Sequence, residues 1–279
     1  MKLQFVKMHG VGNDFMVMHW PAEMAMPSSA QVQHWADRRR GPGFDQLMLI
    51  EDGYAGPEDA SYRVFNADGS EVEQCGNGVR CVARLLAAES GSDHLRLASA
   101  AGVIEAIVQA NGVVEVSLGE PNFAPQALPF AMQDESDRYS LTVNGSDLEL
   151  GAVSVGNPHA VVLVDSVDDA PVGIMGKTLQ EHAAFPSGVN VGFMTVRDAQ
   201  TIDLRVFERG AGETLACGTG AAAAVALGRR WGVLDEKVIV RLPGGELAVN
   251  WQGPGEALWL AGPTTQIYDG RIEYESTKD

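Results

Sequence analysis

Short apolar runs, rather than long amphipathic stretches, dominate the hydrophobic pattern of the chain and predict a β-rich protein. The predicted strands span residues 47–50, 62–65, 103–108, 113–118, 159–164, 202–207 and 238–242. Asn111-Gly112 and Asn144-Gly145 have the sequence of type I′ hairpin turns, in which both central residues take positive φ angles.

Four segments have helical periodicity. Residues 29–40 and 172–184 are amphipathic, which predicts helices with one buried face. The other two helices begin at Cys75 and Cys217 and run to about residues 89 and 231. Both carry apolar residues on most faces, which is typical of helices buried at the centre of a fold.

The two cysteine-initiated helices belong to a longer repeat. Cys75 lies in EVEQCGNG and Cys217 in ETLACGTG, 142 positions apart. Other landmarks recur at offsets of 142 to 144: Gly12-Asn13 with Gly156-Asn157, Gln46 with Asn190, Asn66 with Glu208, and Glu71 with Glu213. A repeat of this length indicates a duplicated domain rather than a solenoid.

We therefore predict an α+β fold of two pseudo-symmetric lobes, each a β-rich, barrel-like sheet around a central helix. The N-terminal lobe is predicted to cover residues 1–119 and the C-terminal lobe residues 120–263. If the lobes pack about a pseudo-two-fold axis, the two buried helices present their N-termini to one cleft.

Composition excludes several classes of partner. The formal net charge of −17, from 20 basic and 37 acidic residues, argues against nucleic acid. No apolar run is long enough for a membrane span, and residues 1–10 do not resemble a signal peptide, so we expect a soluble, cytoplasmic protein. Three cysteines without a CxxC pair predict neither a disulfide framework nor a metal site.

The chemistry follows from the paired cysteines. A helix N-terminus attracts a carboxylate and is expected to lower the pKa of a thiol at that position. Two opposed thiols of matched type can remove a proton from one face of a carbon and return one to the other. The pattern therefore predicts racemisation or epimerisation of an amino acid.

No cofactor is predicted. Only five lysines occur, at positions 2, 7, 177, 237 and 278, and none lies in the duplicated loops where a Schiff-base lysine for pyridoxal phosphate is expected.

The motifs together resemble those of the diaminopimelate epimerase family, over essentially the whole chain. They are MHGVGNDF (8–15), GFDQ (43–46), FNADGSE (65–71), CGNG (75–78), GNPH (156–159) and ERGAGETLACGTG (208–220). The resemblance implies interconversion of LL- and meso-2,6-diaminoheptanedioate, a step of lysine and peptidoglycan-precursor synthesis. It also implies homodimers and a C-terminal segment, 264–279, that returns to the first lobe.

The resemblance assigns roles to individual residues. Cys75 and Cys217 would be the acid/base residues, and His159 and Glu208 would tune their pKa values. The implied substrate contacts are Asn13, Gln46, Asn66, Gly76, Asn77, Asn157, Asn190, Glu208, Arg209, Gly218 and Thr219. An arginine such as Arg209 suits bidentate binding of the carboxylate at the substrate's second amino-acid end.

Other interpretations remain open from the sequence. Cys81 is better explained as a packing residue, and Glu71 and Glu213 as caps or solvated charges. The rival functions are a racemase acting on proline or hydroxyproline, a thiol redox protein that alternates between dithiol and disulfide, and a non-catalytic module that binds a dicarboxylic amino acid.

Overall fold

The computed structural model describes residues 1–73 and 75–274, so the last five residues of the predicted returning segment 264–279 lie outside the described residues. The strands are β1 (Lys2–Gly10), β2 (Asn13–Trp20), β3 (Gln46–Glu51), β4 (Ala60–Asn66), β5 (Glu71–Val72), β6 (His94–Ser99), β7 (Gly102–Val108), β8 (Val113–Ser117), β9 (Tyr139–Val143), β10 (Ser146–Ser154), β11 (Pro158–Leu163), β12 (Asn190–Asp198), β13 (Thr201–Glu208), β14 (Gly212–Thr214), β15 (Lys237–Leu242), β16 (Gly245–Asn250), β17 (Trp259–Pro263) and β18 (Thr265–Glu273). The helices are α1 (Ser29–Ala36), α2 (Gly76–Ser90), α3 (Val172–Gln180) and α4 (Gly218–Arg230), with a 3-10 turn at Pro125–Ala127.

Each predicted strand coincides with an observed one to within two residues at either end. The predicted set omitted several strands, and β18 shows why. Most of its residues are exposed and the others are only half-buried, so it has no apolar period to detect. It is held instead by antiparallel pairing with β1, from Lys2 opposite Glu273 to His9 opposite Thr265.

The two amphipathic helices are shorter than predicted. α1 ends at Ala36 because Asp37 leaves helical geometry, with ψ of 112°, and its carboxylate accepts from the N–H groups of Arg39 and Arg40. Such side-chain bonds offer the backbone an alternative to the helix. α3 ends at Gln180 rather than at residue 184.

Only one of the two predicted type I′ turns forms. Asn144 and Gly145 have φ of 52° and 80°, as that turn requires. In the other loop Gly112 alone has a positive φ, because the side chain of Asn111 accepts from the N–H of Val113 and the loop spans residues 109–112.

The chain divides into two compact units. The first comprises residues 1–116 with the described part of 262–279, and the second comprises residues 117–261. In the first unit β18, β1 and β2 are antiparallel neighbours, β2 and β3 are parallel, β3 and β4 are antiparallel, and β4 is parallel to β6. Helix α2 packs against β1, β2, β3, β6 and β7.

The second unit repeats this topology in the same register. Antiparallel β9, β10 and β11 lead to β12, which is parallel to β11, and β13 is antiparallel to β12 and parallel to β15. Phe15 lies opposite Gln46 as His159 lies opposite Asn190. In the same way, Phe65 lies opposite Glu71 as Phe207 lies opposite Glu213. Duplication therefore extends from sequence to strand pairing.

The central helix of the second unit is made mostly of small residues. Ala221, Ala222, Ala223 and Ala224 are all fully buried in α4, and strands β10, β11, β12 and β16 contact it. Small side chains let the sheet close tightly around the helix, at the density of a protein interior. Among the described residues, no helix has the length and apolar character needed to cross a membrane.

Candidate functional site

Each repeated cysteine is the N-cap of its central helix. Cys75 has φ of −139° and ψ of 110°, and its Sγ accepts from the N–H of Gly78 at 3.4 Å. Cys217 has φ of −124° and ψ of 108°, and its Sγ accepts from the N–H of Gly220 at 3.3 Å. Side chains of N-cap residues usually satisfy such donors through oxygen. Here a sulfur lies at both helix starts.

Close packing requires the glycines that follow the cysteines. A Cβ at Gly78 would lie 2.6 Å from Sδ of Met48, and one at Gly220 would lie 2.9 Å from a methyl of Val206. The first turn of each central helix is thus pressed against a strand, which fixes the position of the cysteine that caps it.

Cys217 lies beside a carboxylate. Its Sγ is 3.2 Å from Oε2 of Glu208 and 3.6 Å from Oγ1 of Thr219, and the side chain is 4% exposed. Oε1 of Glu208 accepts a 2.5 Å hydrogen bond from Thr214. The carboxylate is thereby oriented between a hydroxyl and the thiol.

The pKa of Cys217 is raised well above its ordinary value, first by burial and then by the negative charge of Glu208. Hydrogen bonds from Thr219 and from the N–H of Gly220 act in the opposite direction but are outweighed. The prediction that a helix start lowers the thiol pKa is therefore wrong for Cys217, which is a thiol that donates to Glu208.

Cys75 has different neighbours. It is half-buried, and its Sγ lies 4.0 Å from Oδ1 of Asn13, which also accepts from Nδ2 of Asn77 at 3.4 Å. The position equivalent to Glu208 is Asn66. The two thiols thus occupy equivalent backbone positions with different electrostatic surroundings.

A network of charges holds Asn13. Its Nδ2 donates to Oδ2 of Asp45 at 3.0 Å, which turns its Oδ1 toward the thiol. Arg38 donates to both carboxylate oxygens of Asp14 and to Asp45, and the buried Lys7 donates to Asp14 at 2.5 Å. Burial raises the pKa of Asp14, but the hydrogen bonds from Arg38 and Lys7 hold it well below its usual range.

Gln46 and Asn66 are joined in the same unit. Nε2 of Gln46 donates to Oδ1 of Asn66 at 3.0 Å, and Nδ2 of Asn66 donates to Ser70 at 3.1 Å. Within the described residues, the buried Oε1 of Gln46 has no hydrogen-bond partner. One acceptor of this predicted contact residue is therefore available to a ligand.

His159 is a neutral, completely buried imidazole in β11. Burial, together with the charge of Arg209, lowers its pKa to about 3. Because Nδ2 of Asn157 donates to Thr219 at 3.4 Å, Oδ1 of Asn157 accepts from Nε2 of His159 at 2.9 Å. Nδ1 then carries the lone pair, and it has no partner in the part of the chain that the structure describes.

Asn190 and Arg209 are linked through the backbone. Oδ1 of Asn190 accepts from the N–H of Arg209 at 2.9 Å, and its Nδ2 donates to the carbonyl of Pro158 at 3.0 Å. The side chain of Arg209 is exposed, with one bond to the carbonyl of Ser187 at 3.1 Å. Asn190 therefore fixes the backbone from which this guanidinium extends.

The sequence interpretation treated the repeated glutamates as caps or solvated charges, and the structure pairs them with arginines. Glu71 accepts from Arg63, and Glu213 accepts from Arg205, at equivalent places in the repeat. Cys81 is fully buried, as its packing role predicts, and burial raises its pKa to about 12.

Sequence reasoning missed several residues that contact the predicted site or support its contacts. Among them are Asp14, Asp45, Arg80 and Thr214. Arg80 carried a signal, since an arginine inside a helix with apolar residues on most faces must be buried. Thr214 and the aspartates carried none, because their contacts depend on how the strands pair: Thr214 meets Glu208 across the pair β13 and β14, and Asp45 meets Asn13 from 32 residues away. No group of three or more His, Cys, Asp or Glu side chains within residues 1–73 and 75–274 is arranged to hold a metal ion.

Comparison with known families matches the chain to the diaminopimelate epimerase model over residues 5–124 and 151–267. The diaminopimelate epimerase of Pseudomonas savastanoi is 44% identical over 274 residues, covering 98% of this chain and 99% of the relative. That of Nitrosomonas europaea is 46% identical over 276 residues, covering 98% of this chain and all of the relative.

Solved structures of lower identity share the fold. A hydroxyproline epimerase from Agrobacterium vitis has a TM-score of 0.70 at 16% identity, covering 97% of this chain and 92% of that one. A PhzF-family phenazine biosynthesis protein from Bacillus anthracis has a TM-score of 0.68 at 17% identity, covering 98% and 100%. At these identities the likeness establishes the α+β architecture alone.

Proposed function

The chain belongs to the diaminopimelate epimerase family, and on that premise we propose that Cys75 and Cys217 are the two acid/base residues that interconvert LL- and meso-2,6-diaminoheptanedioate. The family is one of racemases and epimerases that act without pyridoxal phosphate, and its reaction belongs to lysine biosynthesis. The product also supplies peptidoglycan precursors.

The observation that carries the two-cysteine mechanism is the repeated N-cap. Both sulfurs accept the N–H of the third residue beyond them, in units with the same strand register. The first N–H groups of a helix lack intrahelical partners and favour a carboxylate. A substrate α-carboxylate bound there would place its α-carbon next to the capping sulfur.

In the proposed reaction, one sulfur as thiolate takes the α-hydrogen as a proton, and the other as thiol returns a proton to the opposite face. The electron pair left on the α-carbon spreads into the carboxylate, where helix N–H groups stabilise the added charge. Reversal of the two roles catalyses the opposite direction. No oxidant or reductant is consumed, because each step transfers only a proton.

We assign the pKa-tuning roles from the local contacts. Glu208 accepts from the thiol of Cys217 and keeps it protonated until it acts. The neutral His159 has a bare Nδ1 that suits it to accept a hydrogen bond from a thiol. Its lowered pKa keeps the ring neutral, so it orients the thiol without taking the proton itself.

The predicted substrate contacts divide by chemistry. Gly76 and Gly218 offer backbone N–H groups at helix starts, beside Asn77 and Thr219. The exposed guanidinium of Arg209 is suited to the carboxylate at the unreacting end. The amides of Asn13, Gln46, Asn66, Asn157 and Asn190, which donate and accept, suit a zwitterionic amino acid.

We also propose a homodimer that works in the cytoplasm. Ile267 and Tyr268 on β18 are 51% and 43% exposed, an unusual amount for large apolar side chains on one strand. A second copy of the chain would cover them. Light scattering of the purified protein tests the proposed homodimer, because it measures the mass of the particle in solution.

Acid/base thiols must stay reduced, which a cytoplasmic compartment ensures.

Deuterium exchange tests the proposed function. The reduced protein is incubated with LL-diaminopimelate in D2O without pyridoxal phosphate. Incorporation of deuterium at one α-carbon together with formation of the meso isomer is the expected result. Absence of both from reduced, folded protein would overturn the proposal.

Matched substrates separate the rivals. Exchange with proline or hydroxyproline, but not with diaminopimelate, would instead indicate a racemase of similar fold. A redox protein would oxidise or reduce a dithiol substrate without exchange, and a binding module would bind diaminopimelate without exchange.

A further inference from the structure

Arg80 is the most deeply buried charged group near either cysteine. Its side chain is 0% exposed in α2, and its guanidinium donates to Oδ1 of Asn77 at 2.6 Å, to the carbonyl of Gly76 at 3.4 Å and to that of Pro263 at 3.5 Å. All three acceptors are neutral oxygens. Two of them belong to the residues that directly follow Cys75.

Arg80 has no carboxylate partner within 4.0 Å among the residues that the structure describes. Burial lowers its pKa to about 10, which still leaves it protonated at neutral pH. A buried cation without an anion is strongly unfavourable. A nearby group that can become negative is therefore expected to offset it.

Burial lowers the pKa of Arg80, and the negative charge that Cys81 or Cys75 carries when ionised acts to raise it. Cys81 is completely buried, and burial raises its pKa to about 12, so it stays a thiol. Cys75 is only half-buried and accepts a hydrogen bond from the N–H of Gly78. Its thiolate is the anion best placed to balance Arg80.

The hydrogen bonds of Arg80 also extend to the surroundings of this sulfur. Arg80 donates to Oδ1 of Asn77, whose Nδ2 donates to Oδ1 of Asn13 at 3.4 Å, and Asn13 donates onward to Asp45 at 3.0 Å. A cation and an anion thus lie at the two ends of an amide chain. This arrangement turns Oδ1 of Asn13 toward Sγ of Cys75, at 4.0 Å, where it can accept from the thiol form, so it is the charge of Arg80 and not this amide that favours the thiolate.

We propose that Arg80 is a positioning residue for Cys75: its buried guanidinium favours the thiolate of Cys75 and orients the Asn77 and Asn13 amides around it. The role rests on the proposed function in so far as Cys75 is an acid/base residue. Beside the cysteine of the second unit, the cation is absent and a carboxylate is present. There Ala222 replaces Arg80, and the carboxylate of Glu208 holds Cys217 as a thiol.

Several other charged or titratable groups around Cys75 are paired or uncharged, and Glu73, two residues before it, is exposed to solvent. Burial raises the pKa of Tyr62, which keeps its hydroxyl protonated, and Nδ1 of His9 accepts from the N–H of Gly12. Three carboxylates form ion pairs: Asp14 and Asp45 with Lys7 and Arg38, and Glu71 with Arg63. Arg80 is fully buried and forms no ion pair with any residue that the structure describes.

The test measures the alkylation rate of Cys75 by iodoacetamide against pH, with mass spectrometry to distinguish the three cysteines. Arg80→Gln keeps a donor for Asn77 but removes the charge, and Arg80→Lys keeps the charge. Arg84→Gln is the matched control, because Arg84 lies one turn further along α2 and donates to the carbonyl of Thr264 instead.

In Arg80→Gln, the pH of half-maximal alkylation should rise by about one unit, a roughly tenfold loss of thiolate near neutrality. Arg80→Lys and Arg84→Gln should stay within about 0.3 units of the wild type. A purely structural role would lower the stability of the variants without moving this midpoint. A folded Arg80→Gln protein with the wild-type midpoint would overturn the proposal.

If Arg80→Gln does not fold, Cys75→Ala and Cys81→Ala provide a second measurement by urea unfolding at pH 6 and pH 9. Loss of the Cys75 thiolate should destabilise the protein more at pH 9 than at pH 6. Cys81→Ala should show the reverse, because burial raises the pKa of Cys81 and the stabilising contribution of its thiol form is lost as pH rises through the pKa of the unfolded chain. Equal losses for Cys75→Ala at both pH values would overturn the proposal. Neither measurement uses diaminopimelate, so either can fail or succeed independently of the epimerase assignment.

Discussion

Glu208 and Cys217 share a hydrogen bond in which Sγ lies 3.2 Å from Oε2, and the carboxylate keeps the sulfur protonated. The equivalent position in the first unit is Asn66, an uncharged side chain that donates to Ser70. The duplicated fold thus carries an asymmetric pair of charges.

Glu208→Gln removes the negative charge beside Cys217. We expect the pKa of Cys217 to fall, because the charge of Glu208 and its hydrogen bond to the thiol both raise it. Peptide-resolved alkylation should therefore show a lower midpoint for Cys217 and an unchanged one for Cys75. Epimerase turnover should fall by roughly 10²-fold, as for loss of one acid/base partner. A Cys217 midpoint equal to that of the wild type would contradict the prediction.

Thr214→Val tests the group that orients Glu208. Valine has the shape of threonine but cannot donate the 2.5 Å hydrogen bond to Oε1. We expect a loss of about 1 kcal/mol in the free energy of unfolding and a shift of the pH–rate profile. Thr178→Val is the control, because its hydroxyl donates to the carbonyl of Ile174, one turn earlier in the same helix, and to no other group that the structure describes. Identical pH–rate profiles for Thr214→Val and the wild type would count against this role for Thr214.

Serine variants separate the three cysteines. Cys75→Ser and Cys217→Ser keep a capping atom at each helix start but replace a thiol by a far weaker acid. Each should lose about 10²- to 10⁴-fold in turnover with little change in unfolding free energy. Cys81→Ser should retain turnover, since Cys81 is fully buried inside α2, six residues beyond the cap, and caps no helix start. Full activity in either of the first two variants would exclude the two-cysteine mechanism.

The sequence predicted the fold class and the two central helices that start at the cysteines, because these depend on local patterns that occur twice. The strand registers around Gln46 and Asn190 confirm how far the repeat extends. It predicted the wrong direction for the pKa of Cys217, because a helix start is visible in sequence whereas burial and the approach of Glu208 depend on packing.

The charge network around Asn13 was equally beyond the sequence. Lys7, Asp14 and Arg38 belong to different elements, and only pairing of β1 with β2 and the turn after α1 bring them together. The apolar pattern of α2 indicates that Arg80 is buried. It does not indicate that Arg80 donates to Asn77 and to the carbonyl of Pro263.

Asp14→Asn tests the contribution of that network to stability. The pKa of Asp14 is lowered in the folded state, so its ionised form stabilises the fold above its unfolded pKa, and this contribution is lost as pH falls. We expect Asp14→Asn to lower the free energy of unfolding at pH 7 by about 1–3 kcal/mol. The difference from the wild type should shrink between about pH 5 and pH 2. Urea unfolding across this range measures it, and a difference independent of pH would contradict the assignment.

The capping sulfurs have a consequence for inhibition. An electrophile that captures Cys75 or Cys217 takes away the acceptor of the Gly78 or Gly220 N–H. Covalent capture would therefore remove a proton carrier and also loosen the first turn of the helix that is suited to hold the substrate carboxylate. Such an inhibitor acts on binding and chemistry through a single bond, and the cell recovers the activity only by making new protein.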